Sequence, residues 1–175
     1  RNTQGTPFVP NMPTEEVFTS PARDGVEGVV RSTMPLNYNG VLIEELWLRF
    51  EGGRVVDFGA ASGTEALKGL VETDDGSRCL GEVALVPVDS PISQLGILFY
   101  NTLLDENASC HLALGRAFPV ALQGGEAMSK EEQRANGLND SIAHVDFMVG
   151  SADLDIDAET PDGTVPIFRR GKWAL

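Results

Sequence analysis

Two imidazoles and a small set of carboxylates hold the chemistry this sequence can offer. His111 and His144 are the only histidines among 175 residues, and each lies in an apolar, strand-like stretch near an acid. In Ala143-His144-Val145-Asp146-Phe147-Met148-Val149 the histidine and the acid are two apart. On a strand both would leave one face, while Val145 and Phe147 leave the other. A neutral imidazole beside a carboxylate suits zinc, cobalt or manganese. In Asp105-Glu106-Asn107-Ala108-Ser109-Cys110-His111 acids gather ahead of a histidine after a long apolar run, which marks Glu106 and His111 as candidates. Glu82 stands alone among apolar neighbours in the run 80–86, where an ionised carboxylate needs a partner. Glu15 and Glu16 are adjacent, framed by Pro13 and Pro21.

Each of these elements also has a plain structural reading. His144 can be a core histidine bonded to Asp146, the stretch 105–111 an exposed acidic turn before a buried ring, Glu82 a water-facing strand residue, and Glu15-Glu16 surface charge. Together, however, these carboxylates and both histidines make a coherent set for two divalent cations, one acid bridging and the others terminal. Zinc, cobalt, manganese and magnesium all accept such donors. A two-metal phosphoesterase would use similar ligands, but no glycine-rich phosphate loop or basic cluster lies near these acids.

The elements that must position these groups read as mainly antiparallel β-structure, in a sheet or barrel-like core, with a few short helices: an α+β class. Strands and turns fill 25–60, where Leu46, Leu48 and Phe50 alternate with Trp47 and Arg49, and Gly52-Gly53 marks a hairpin. Ser62-Gly63-Thr64-Glu65 reads as a capping box opening a short helix with Ala66, Leu67, Leu70 and Val71 on its buried side. The run 79–88 reads as a buried strand, 92–104 is ambiguous between helix and strand, and Ser129 caps a second helix ending near Gly137. The run 143–150 is a strand, and 165–175 a closing hairpin around Gly171. The opening lacks an initiator Met and runs through Pro7, Pro10 and Pro13, which predicts irregular chain cut from the middle of a longer polypeptide.

A net charge of -13 would repel phosphates and anionic membranes, so nucleic acid is excluded as a partner. Most of that acidity is read as solvated surface, with a smaller share drawing in divalent cations or cationic amines. The two cysteines, Cys79 and Cys110, make no dense disulfide framework, and no apolar run reaches the roughly 20 residues of a membrane span. The expected setting is the reducing cytoplasm.

In this order the segments 11–21, 80–86, 105–115 and 144–150 resemble the aminopeptidase T and aminopeptidase S family of bacterial two-metal exopeptidases. The likeness runs to the closing Pro166-Ile167-Phe168-Arg169-Arg170-Gly171-Lys172-Trp173. It covers the C-terminal part of the family's longer chain, so residues 1–175 are expected to form a metal-binding catalytic domain without the family's N-terminal domain. The resemblance implies a metal-dependent aminopeptidase acting on peptides, usually as a homodimer, with two divalent ions and a broad preference for apolar N-terminal residues. For dimerisation, 46–48 offers a candidate apolar surface, unless core packing claims it. It puts ligands at Glu16, Glu82, His111, His144 and Asp146, with Glu106 a further ligand and Glu82 the bridge. Glu15 is left as a group supporting Glu16 or as a general base. The pattern departs at Phe118, where the family usually carries a tyrosine that steadies the transition state. Losing that donor costs about 3 kcal/mol, a hundredfold or more in rate. Tyr38 and Tyr100 are the only tyrosines left to replace it. The alternative implied is a folded metal-binding fragment with little or no activity.

Overall fold

The computed structural model describes residues 4–7 and 15–174; most of the irregular opening expected over 1–13 lies outside them. In chain order the strands are β1 (Val17–Thr19), β2 (Gly28–Arg31), β3 (Leu36–Tyr38), β4 (Val41–Ile43), β5 (Trp47–Glu51) and β6 (Arg54–Gly59). Helix α1 (Thr64–Val71) precedes β7 (Leu80–Leu85), and α2 (Thr102–Asp105) precedes β8 (His111–Gly115). Then come α3 (Lys130–Ala135), β9 (His144–Met148), β10 (Ile156–Thr160), β11 (Gly163–Arg169) and β12 (Lys172–Trp173). All pairings are antiparallel, in separate sheets ordered β1-β7-β8-β9, β2-β5-β6 and β10-β11-β12, with a β3-β4 hairpin. Among the described residues the strands form open sheets and no closed barrel.

The alternation over 46–50 works as the period predicts. Leu46, Leu48 and Phe50 join Ile43, Val55, Leu67, Leu70, Val71, Leu80, Leu114 and Phe147 in the core. Leu46 and Leu48 are wholly buried, which removes them from any dimer surface; burying apolar side chains internally is worth roughly 1.5–3 kcal/mol each. The β5-β6 hairpin turns at Gly52-Gly53, and the final hairpin at Arg170-Gly171, as the turn residues require.

Helix α1 forms where expected but is not capped as expected. Its N-cap is Gly63, left-handed at φ 75°, with no side-chain cap. A Cβ there would lie 2.7 Å from the Leu42 carbonyl oxygen, so the chain enters the helix through a residue only glycine fits. Ser62 instead donates to Glu44 Oε2 at 2.8 Å. By contrast, α3 carries the full capping box between Ser129 and Glu132. The ambiguous stretch 92–104 becomes a 3₁₀ turn at Ser93–Leu95, then coil, then the four-residue α2. The buried Asp105 carboxylate holds this coil by accepting from the Phe99 and Asn101 backbone N–H groups at 2.8 and 3.0 Å. No helix among the described residues is long and apolar enough to cross a membrane.

Candidate metal centre

The four-stranded sheet is built to be apolar on one face and acidic on the other. Leu80, Leu114 and Phe147 point into the core, with Leu112 and Val145 packed beside them. Cross-strand partners share a face, so the register gives the composition of the opposite one. One row sets Phe18, Ala84, His111 and Met148 side by side. The next sets Glu82, Ala113 and Asp146 in line, and the third pairs Gly115 with His144. Gly81 supplies the bulge between Leu80 and Glu82 that sets this register; a Cβ there would lie 2.2 Å from the Arg116 carbonyl oxygen.

A cavity of about 330 Å³ opens over this face, lined by Glu16, Glu82, Glu106, His111, His144 and Asp146 together with Phe18, Leu103, Asn107 and Phe118. Thus six predicted ligand positions from four separated stretches converge, and Phe118 joins them. Glu15 is absent from the lining; its Oε2 is buried without a hydrogen-bond partner among the described residues. Neither Tyr38 nor Tyr100 borders the cavity. Phe118 stands at the rim with its ring centroid 4.6 Å from that of His144 and 6.4 Å from that of Phe18.

Two trios of donors emerge, Glu16, Glu82 and His111 in one and Glu82, His144 and Asp146 in the other, with the donor atoms of each within 4.8 Å of one another. His111 Nε2 lies 3.9 Å from Glu16 Oε1 and 3.8 Å from Glu82 Oε1. His144 Nε2 lies 3.4 Å from both Glu82 Oε2 and Asp146 Oδ1. Ligands of a tetrahedral ion at roughly 2.1 Å stand roughly 3.4 Å apart, so both trios are close to the spacing a cation needs. Each ring also turns its other nitrogen to a backbone carbonyl: His111 Nδ1 to Ser109 O at 3.0 Å and His144 Nδ1 to Arg116 O at 2.7 Å. A carbonyl can only accept, so Nδ1 carries the hydrogen and Nε2 is the atom offered to the cavity. The first trio is the inner one, its His111 and Glu16 side chains 2% and 4% exposed; in the outer one His144 is 23% exposed.

The electrostatics fit the same donor set. Among the described residues no Lys or Arg lines the cavity, and four carboxylates share it with two imidazoles. Without a cation, protons offset their charge. Burial, with the charges of Asp146, Glu16 and Glu82, pushes the Glu106 carboxyl up to about 8. Burial works against a charged His144, but hydrogen bonds to Asp146 and Glu82 outweigh it and push the ring up to about 10. Both protons sit where a divalent ion would compensate the same acids. Sequence reasoning missed Phe18, Leu103 and Asn107. Phe18 was within reach, being two residues from Glu16 on an extended segment; Leu103 and Asn107 belong to a region whose pattern has no period.

Comparison with known proteins points to one family. The profile of the thermophilic metalloprotease (M29) family matches residues 1–173. Aminopeptidase AmpS of Bacillus subtilis is 62% identical over 99% of this chain and 43% of its own length. Aminopeptidase 2 of Geobacillus stearothermophilus is 60% identical over 98% of this chain and 42% of its own length. The solved structure of wild-type AmpT from Thermus thermophilus superposes with a TM-score of 0.87 at 50% identity, covering 95% of this chain and 41% of that one. The chain therefore spans about two-fifths of the length of the relatives it matches.

Proposed function

Because the chain belongs to the thermophilic metalloprotease (M29) family, we propose that its acidic cavity is the two-cation centre of an aminopeptidase that removes N-terminal residues from peptides. The observation that carries this reading is Glu82, the one carboxylate common to both trios, with an oxygen turned to each histidine. Glu82 would bridge, Glu16 and His111 would hold the inner ion, and His144 and Asp146 the outer one. Glu106 adds a further carboxylate. When bound, two such cations supply Lewis acidity to the scissile carbonyl and bring the pKa of water towards neutrality, a role filled by zinc or cobalt and open to manganese or magnesium.

The remaining work falls to the chain's own groups. The carbonyls of Ser109 and Arg116 fix both imidazoles in the tautomer that presents Nε2. Glu106 lines the cavity beside the donors of both trios. With cations bound its proton would be displaced, and the free carboxylate would take a proton from water and deliver it to the leaving amine. Glu15, next to Glu16 but outside the lining, is assigned a supporting role for its neighbour. The net charge of -13 would also favour a substrate's free ammonium group, which suits cleavage at an N-terminus.

Phe118 favours a second reading, a cation-binding fold of low catalytic power, because the cavity is bordered by no tyrosine. One assay separates the two. The full-length protein is incubated with aminoacyl anilides and cobalt or zinc. Metal-dependent release supports the aminopeptidase reading, and two bound ions without release support the second.

A further inference from the structure

The outer imidazole is held by a carbonyl, and the segment that carries this carbonyl is itself held from outside the cavity. The segment 115–117 follows β8 and carries Arg116 O, the acceptor for His144 Nδ1. Asn139 grips this segment at two points. Its Nδ2 donates to Gly115 O at 2.6 Å, and its backbone carbonyl accepts from Ala117 N at 2.9 Å. The same Nδ2 donates to Gly76 O at 2.8 Å, and Oδ1 accepts from Arg23 Nε at 3.1 Å. Asn139 is 3% exposed, and every polar atom of its amide is engaged, the two carbonyls demanding donors and the guanidinium demanding an acceptor. Only a neutral amide meets both demands. The inner imidazole is held independently, through Ser109, whose hydroxyl accepts from Gly150 N at 3.0 Å.

We infer that Asn139 is a positioning residue for the outer cation alone, fixing His144 through Gly115, Arg116 and Ala117 while leaving the inner trio untouched. The inference rests on the two-cation reading. An aspartate at this position keeps the shape, but it loses both donated bonds and sets a charge against two carbonyls. Groups that orient a metal-bound histidine from behind typically change affinity by about ten- to a hundredfold.

The test is a cobalt titration of the full-length protein, followed by visible absorption and by equilibrium dialysis, with His144→Ala identifying the outer step as the one it removes. Asn139→Asp is expected to weaken that step by about ten- to a hundredfold and to leave the other step and its spectrum unchanged. Equal weakening of both steps, or of neither, would overturn the inference while the two-cation reading stands. An unchanged protein that binds no cobalt would overturn the reading itself, and the inference with it. If Asn139→Asp does not fold, Asn139→Ser, which keeps one donor without a charge, gives the same comparison. A loss confined to the outer step supports the inference, and a loss shared by both steps contradicts it.

Discussion

The inner trio of Glu16, Glu82 and His111 and the outer trio of Glu82, His144 and Asp146 use the same kinds of ligand on the same sheet face, yet their settings differ. His111 is 1% exposed and lies in the row with Phe18, Ala84 and Met148, walled by the fold. His144 is partly open, at the end of β9, beside a rim aromatic and fastened to a loop. The same donors in two settings imply two duties. In the proposed centre an inner cation would chiefly neutralise acids the fold has already buried, whereas an outer one would meet solvent and substrate. The comparison teaches that the fold encloses one set of donors and leaves the other easy to reach.

Breaking the shared element should have the largest effect. Glu82→Gln is expected to abolish binding of both ions and bring peptidase activity down to that of the metal-stripped protein, as elemental analysis and anilide assays would show. Retention of either ion at normal affinity would remove Glu82 as the bridge. The single-histidine variants sharpen the contrast. His111→Ala should cost about 3–5 kcal/mol of stability, because truncating a buried ring leaves a cavity inside the fold. His144→Ala should cost less and lose only the outer ion; denaturant melts with metal counts decide, and equal costs would erase the distinction between the trios.

The rim gives the next effect. Restoring a phenol beside His144 with Phe118→Tyr is expected to raise kcat by up to about a hundredfold with little change in KM. An unchanged kcat would mean that the rim position plays no part in the chemistry.

The pH effect is the mildest. Glu106 ordinarily ionises near 4.5 but in the metal-free fold near 8, and His144 moves from 6.5 to about 10. Between each pair of values the folded state holds the extra proton. The metal-free protein should therefore be most stable below about pH 4.5 as far as these groups are concerned, losing stability as pH rises towards 10. Cations displace those protons, so the rise in Tm on adding metal should grow from pH 5 to pH 9. A rise that shrinks with pH would contradict the assignment.

How far the sequence alone reached can be judged residue by residue. His144-Val145-Asp146 and the lone acid Glu82 were legible because strand alternation converts spacing directly into a shared face, and the buried Leu46 and Leu48 followed from the same period. The α1 cap was not legible, since Gly63 takes over a task that Ser62 is chemically able to do, and only the approach of Leu42 decides between them. The stretch 92–104 was obscure because side-chain bonds to Asp105, not periodic burial, shape it. The residues that position rather than bind, Ser109, Arg116 and Asn139, act through backbone carbonyls or long-range contacts that residue type does not announce.

Native mass spectrometry of the full-length protein, with ion release into a chelator followed over time, bears most directly on the two-trio account. Two divalent ions per chain, the first lost quickly from the open position and the second slowly from the buried one, is the predicted result. A chain that carries no ion, or only one, would contradict it.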